Sequence, residues 1–256
     1  MKKRKKIIFW ISAIIILLLV AVYIFKIAKY YPKNINLEHE PELFGITYSK
    51  KYAESIGLDW KEAYIAILDE LGVKKVRIPV YWDEIEEELG IFDFNDYDFL
   101  IEEAEKRDVK IILNFGMRVA RWPECHFPDW ANNLSTEKLQ DRTLKMLSAV
   151  VENFKDSPAI VYWQLENEPL LNSFGICPRG DYNFLKKELD LVKKLDNRPV
   201  MISATGELSF WLKEAKIADI FGTTMYRVVH NPIIGYIKYP YPSSFYRFKA
   251  RLVGVE

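Results

Sequence analysis

The run Trp163-Gln164-Leu165-Glu166-Asn167-Glu168-Pro169 joins an apolar segment to a concentration of reactive groups. Ala159-Ile160-Val161-Tyr162-Trp163 reads as a buried strand, and it empties directly into Asn167, Glu168 and Pro169. Pro169 ends regular pairing, so an amide and a carboxylate stand side by side at a strand mouth. That pairing suits sugar chemistry: a carboxylic acid can protonate a glycosidic oxygen while the neighbouring amide holds a ring hydroxyl.

The elements that must position these groups alternate along the chain. Strand-like segments cover Leu43–Tyr48, Lys75–Val80, Val109–Phe115, the run into Asn167, Pro199–Ser203 and Ala218–Met225. Helical segments are predicted at Asp59–Leu71, 96–107, 136–154, 181–195 and 208–216, with a last one at 244–252. Asp59 with Glu62 reads as a capping box for the first of them. Near-continuous apolar strands separated by amphipathic helices predict a parallel sheet covered by helices. The longest strand-to-helix loops follow strands two, three, four and six, on the edge where a TIM barrel keeps its chemistry. A doubly wound sheet would carry a Gly-rich phosphate loop after its first strand; here that place holds Tyr48-Ser49-Lys50-Lys51-Tyr52.

With Asn167-Glu168-Pro169 at the end of its fourth strand, the chain resembles the retaining glycoside hydrolases of clan A, over roughly Phe44 to Tyr226. Arg77 matches the clan's second-strand arginine, whose guanidinium holds the nucleophilic carboxylate ionised. Its neighbours Val76, Ile78 and Val80 are apolar, so a charge there needs a partner. Trp82, Glu86 and Gly90 ahead of Phe92-Asp93-Phe94 resemble the second-strand loop of galactosidase and cellulase relatives, where Trp82 either lines the cleft or packs beneath the loop. After strand three come Arg118, Arg121, Trp122, His126 and Trp130; Trp122 is a candidate sugar platform. Tyr226 matches the clan tyrosine that bonds the nucleophile. Glu207, beyond strand five, is a second carboxylate expected on the same face. The resemblance makes Glu168 the general acid and then the general base, with Asn167 on the hydroxyl next to the anomeric carbon. Glu166, two residues back on the same strand face, would supply negative charge to keep Glu168 protonated.

The resemblance implies an α/β fold, a (β/α)8 TIM barrel. Only about six βα units are legible, so the barrel is expected to be incomplete, and no strand-seven nucleophile is assigned. The expected activity is hydrolysis of O-glycosidic bonds in a β-linked oligo- or polysaccharide. The alternative is a membrane-tethered, non-catalytic carbohydrate-binding barrel.

Composition narrows the rest. The chain has 256 residues, formal net charge zero and 14% aromatic content. The neutral balance argues against a nucleic-acid partner. Residues 1–6 form a basic flank, and Ile7 to Phe25 is an uncharged apolar run long enough for about 30 Å of hydrocarbon. It is longer than the core of a cleaved signal, about 7–15 residues, and no small-residue cleavage site follows Val20. One transmembrane signal anchor at 7–25 is therefore expected, then a stalk at 26–42 and the glycosidase-like barrel at 43–256, outside the cell membrane. Cys125 and Cys177 lie in loops after adjacent strands, and either a disulfide or two free thiols fits. His39, His126 and His230 are scattered, so neither a metal nor another cofactor is expected.

Overall fold

A computed structural model of the chain describes residues 2–29, 44–207, 209–231 and 235–255. Two units emerge, one formed by Glu40–Tyr226 and the other by Met1–His39 with Arg227–Gly254.

The larger unit holds six parallel strands: β1 (Ile46–Thr47), β2 (Lys75–Pro79), β3 (Lys110–Phe115), β4 (Ile160–Leu165), β5 (Val200–Ala204) and β6 (Ile220–Thr223). They pair strictly in chain order, β1-β2-β3-β4-β5-β6. Each crossover carries a helix, which is the TIM-barrel pattern with six strands among the described residues. The crossover helices are α2 (Lys50–Ser55), α3 (Trp60–Asp69), α4 (Trp82–Ile85), α5 (Asn95–Glu105), α6 (Thr136–Phe154), α7 (Tyr182–Leu195) and α8 (Leu212–Ile217). α2 and α4 fall inside segments read from sequence as loops. Leu208, where a helix was expected to begin, lies outside the described residues, and that helix starts at Leu212.

The strands bury themselves as their composition demands. Ile78, Leu113, Trp163 and Val200 follow one another in register across β2 to β5 and are all 1% exposed or less. Against them pack Leu68 of α3, Leu100 of α5, Leu147 and Val150 of α6 and Val192 of α7. Each such side chain contributes about 1.5–3 kcal/mol by leaving water. The helix starts are fixed by side-chain caps. Asp59 accepts from the backbone N–H groups of Lys61 and Glu62, Ser135 from Lys138, and Asp181 from Asn183 and Phe184, satisfying donors that a helix leaves unpaired.

The smaller unit contains helix α1 (Lys2–Lys29), an antiparallel hairpin of β7 (Val228–Asn231) and β8 (Gly235–Lys238), and helix α9 (Ser243–Leu252). The hairpin stands where no further strands were expected from sequence. Among the described residues, no helix is long and apolar enough to cross a membrane, so the expected signal anchor at 7–25 has no support there. Most of the expected stalk, from residue 30 to 42, lies outside the described residues.

Candidate active site

The end of β4 is shaped by two glutamates in the left-handed backbone region, Glu166 at φ 58° and Glu168 at φ 51°. Residues with a Cβ hold that conformation only where the surroundings enforce it, and it recurs at functional sites. The turn at Glu166 breaks the two-residue alternation of the strand, and the two side chains diverge. Glu166 accepts the backbone N–H groups of Met117 and Arg118, at 2.7 and 2.8 Å. It is also hydrogen-bonded to Glu188 of α7. Burial pushes Glu166 up to about 7 and Glu188 well above the usual carboxyl range, so this buried pair is protonated in part at neutral pH. The expectation that Glu166 supplies charge to Glu168 is therefore corrected. Its carboxyl serves the β3 loop and helix α7.

Glu168 remains at the strand mouth. Its backbone N–H donates to Ser203 Oγ at 3.1 Å, and its Oε1 accepts the Thr224 hydroxyl at 2.6 Å. The residue is 6% exposed, yet it lines a cavity of about 350 Å³ with Leu170, Leu171, Asn172, Thr205 and Glu214. A carboxyl that is nearly buried but faces a cavity can meet a substrate oxygen with little competing water.

Beneath it, polar side chains link the strands. Arg77 Nη2 donates to Asn114 Oδ1 at 3.0 Å and to Asn167 Oδ1 at 2.9 Å. Asn114 in turn donates to the carbonyls of Gln164 and Glu166. Gln164 reaches Ser203 Oγ at 3.4 Å. Arg77 thus has the partners its apolar flanks required, though among the described residues its contacts are amides rather than a nucleophilic carboxylate. Burial lowers the proton affinity of its guanidinium, while Tyr226 and Glu124 work in the opposite sense.

The remaining predicted site residues divide. Tyr226 is half exposed, and partial burial followed by the charges of Glu168 and Glu124 raises its phenol. Trp122 is exposed on the rim, edge-on to Phe174 with ring centroids 5.7 Å apart. Trp82 is corrected: it is 1% exposed, packs on Phe127 and Trp130, and donates its indole N–H to Glu86 at 2.7 Å. It cannot stack on a sugar. Glu207 follows β5 and is partly exposed, but the cavity at Glu168 is lined on that side by Ala204, Thr205, Ser209 and Glu214 instead. Burial raises the Glu214 carboxyl.

Glu124 was missed from sequence. Its Oε2 accepts from Asn167 Nδ2 at 2.9 Å and lies 3.5 Å from Arg118 Nε. Burial raises its carboxyl, with Glu168 adding to the rise and Arg118 opposing it. The next residue, Cys125, is disulfide-bonded to Cys177, which resolves the open question about the two thiols and ties the β3 loop to the β4 loop. Among the described residues, no group of three or more His, Cys, Asp or Glu side chains could hold a metal ion.

A TIM-barrel-like sheet of six parallel strands with Asn-Glu-Pro at the end of β4 defines a glycoside-hydrolase scaffold. The chain belongs to the cellulase family, glycosyl hydrolase family 5, whose model matches residues 37–206. Among its relatives, a probable mannan endo-1,4-beta-mannosidase F of Emericella nidulans is 28% identical over 135 residues, 49% of this chain and 30% of the relative. Mannan endo-1,4-beta-mannosidase F of Aspergillus clavatus is 31% identical over 122 residues, 43% of this chain and 26% of the relative. The chain thus spans between a quarter and a third of the length of these relatives. In fold it is similar to a GH5_18 protein of Streptomyces cattleya solved with GlcNAc, at TM-score 0.57 and 14% identity, over 71% of this chain and 51% of that one. It is also similar to xylanase 10B of Thermotoga petrophila solved with xylobiose, at TM-score 0.56 and 17% identity, over 77% and 65% of the two chains.

Proposed function

We propose that this chain carries the acid/base half of a retaining β-glycosidase acting on a β-linked oligo- or polysaccharide. The observation that carries the reading is Glu168, held at the end of β4 by Ser203 and Thr224 and facing a cavity. Glu168 protonates the departing glycosidic oxygen and then takes a proton from water. Asn167 holds the hydroxyl beside the anomeric carbon, and Tyr226 and Trp122 flank the sugar. The second carboxylate of a retaining pair stands about 5–5.5 Å from the first, and none of the described glutamates is assigned to it. The family relatives named for mannan favour β-1,4-mannan fragments as first substrates to try.

The Cys125–Cys177 disulfide supports an oxidising compartment, as the sequence expectation of an extracytoplasmic domain requires. Labelling intact cells with a membrane-impermeant reagent tests that placement.

The activity test is hydrolysis of aryl β-glycosides and β-mannan oligosaccharides by the chain and by a form extended with any downstream coding sequence. Glu168→Gln should lower turnover about 10²–10⁴-fold on poor leaving groups and far less on activated ones. Undiminished turnover of natural glycosides in Glu168→Gln would overturn the assignment. Glycan binding without turnover in both forms would decide for a non-catalytic barrel.

A further inference from the structure

Asn167 is the residue that would face the sugar, and its amide is gripped at both ends. The oxygen accepts from Arg77 at 2.9 Å and the nitrogen donates to Glu124 at 2.9 Å. An Asn amide carries two N–H donors, so this arrangement leaves one for a substrate hydroxyl. The cation on one side and the carboxylate on the other also fix which way round the amide sits. Glu124 itself is held firmly. It is 7% exposed, its φ is 76°, and its backbone N–H and C=O bond Arg121 and Val119. Gly175, from the loop that Cys177 staples, passes so close that an added Cβ would lie 3.0 Å from Glu124 Cβ. A turn closed this tightly presents its carboxylate in one place.

We infer that Glu124 is a positioning residue for Asn167: its carboxylate orients the amide so that the free N–H meets the hydroxyl next to the anomeric carbon. The inference rests on the glycosidase reading for its kinetic consequence but not for its structural one. A carboxylate acceptor makes a stronger bond than a neutral one, and one that must also balance Arg118 at 3.5 Å resists rotation. The β3 loop, through Glu124, therefore sets the geometry of a residue on the β4 loop.

Two measurements on the full chain test it. The first is a substrate comparison: an aryl β-glycoside against its 2-deoxy counterpart, in wild type, Glu124→Gln and Glu124→Leu. Glu124→Leu should lose about tenfold or more in kcat/KM on the hydroxylated substrate and little on the deoxy one, with Glu124→Gln restoring most of the loss. Equal losses on both substrates would mean a merely structural role and overturn the inference. The second is independent of turnover. The side-chain amide resonances of Asn167, assigned by their disappearance in Asn167→Ala, should move in Glu124→Gln and move further in Glu124→Leu. Resonances that stay in place in Glu124→Gln would sink the inference even if Glu124→Leu does not fold. A wild type without activity on any β-glycoside would count against the glycosidase reading alone, because the resonances still decide the role of Glu124.

Discussion

Thr224 donates its hydroxyl to Glu168 Oε1 at 2.6 Å, joining the segment just beyond β6 to the end of β4. Two strands separated in the sheet by β5 therefore determine one carboxyl. Among the described residues, the other oxygen of Glu168 accepts no hydrogen bond, and the residue lines the cavity. The polar residues below it, from Arg77 through Asn114 to Gln164 and Ser203, run strand to strand across the sheet. A fault in any of them is felt at the acid.

Thr224→Val keeps the shape of the side chain and removes the hydroxyl donor. A hydrogen bond of this kind is worth about 0.5–1.5 kcal/mol, so kcat/KM should fall about two- to tenfold on glycosides with poor leaving groups. Thr224→Ser should retain most activity. An unchanged kcat/KM in Thr224→Val would show that the bond does not orient the acid.

The Glu166–Glu188 pair predicts a pH dependence of stability. Both carboxyls are raised in the folded chain, chiefly by burial, from an ordinary value of 4.5. The folded state therefore binds more protons than the unfolded state at intermediate pH. Stability from the pair is fully present below about 4.5, and it falls as pH rises through about 7, where Glu166 titrates. Glu188→Gln keeps a donor for Glu166 and removes the second ionisable group. It should flatten the decline and add about 1–3 kcal/mol at pH 8. Denaturant midpoints measured between pH 4.5 and 8 check this; parallel curves for the two proteins would refute it.

The disulfide predicts a second stability effect. Cys125 and Cys177 are 52 residues apart in sequence, and closing a loop of that size stabilises a fold by about 2–4 kcal/mol. Cys125→Ser with Cys177→Ser should lower the thermal midpoint by several degrees. It should also weaken sugar binding, because both loops that meet at Glu124 and Arg118 lose their tie. A thermal midpoint that is the same with and without reductant would argue that the loops are held by other contacts.

The parts of the site legible in sequence were those fixed by strand position. Asn167, Glu168 and Arg77 sit on or just past strands whose apolar runs are unambiguous, so their faces follow from register. Glu124 was not legible, because its place depends on a left-handed turn and on a disulfide partner 52 residues away. Of the two places the sequence left open for Trp82, packing beneath the loop is the one it takes, and Glu86 one helical turn on receives the indole N–H. The divergence of Glu166 from Glu168 could not be read from period-two alternation, because the positive φ that breaks it is imposed by Met117, Arg118 and Glu188. The longer helices were easy to read, the first of them from Asp59 and Glu62, whereas the short α2 and α4 fell in segments read as loops. The hairpin at Val228–Lys238 was missed because its short strands lack a sustained apolar pattern.

Gly116 offers the most direct test of how tightly the β3 loop is packed against Glu166. Its φ is +138°, and a Cβ built there would lie 2.5 Å from Glu166 Oε1 and 3.0 Å from its Cγ. Glu166 has little room to retreat, because its carboxyl is tied to Met117, Arg118 and Glu188. Gly116→Ala should therefore cost about 2–4 kcal/mol, combining backbone strain with overpacking. The two contributions separate in a double-mutant cycle. Glu166→Ala removes the clash but not the φ penalty, so Gly116→Ala with Glu166→Ala should be less destabilised than the sum of the two single variants. Strict additivity in chemical denaturation would mean that Glu166 does not confine this glycine.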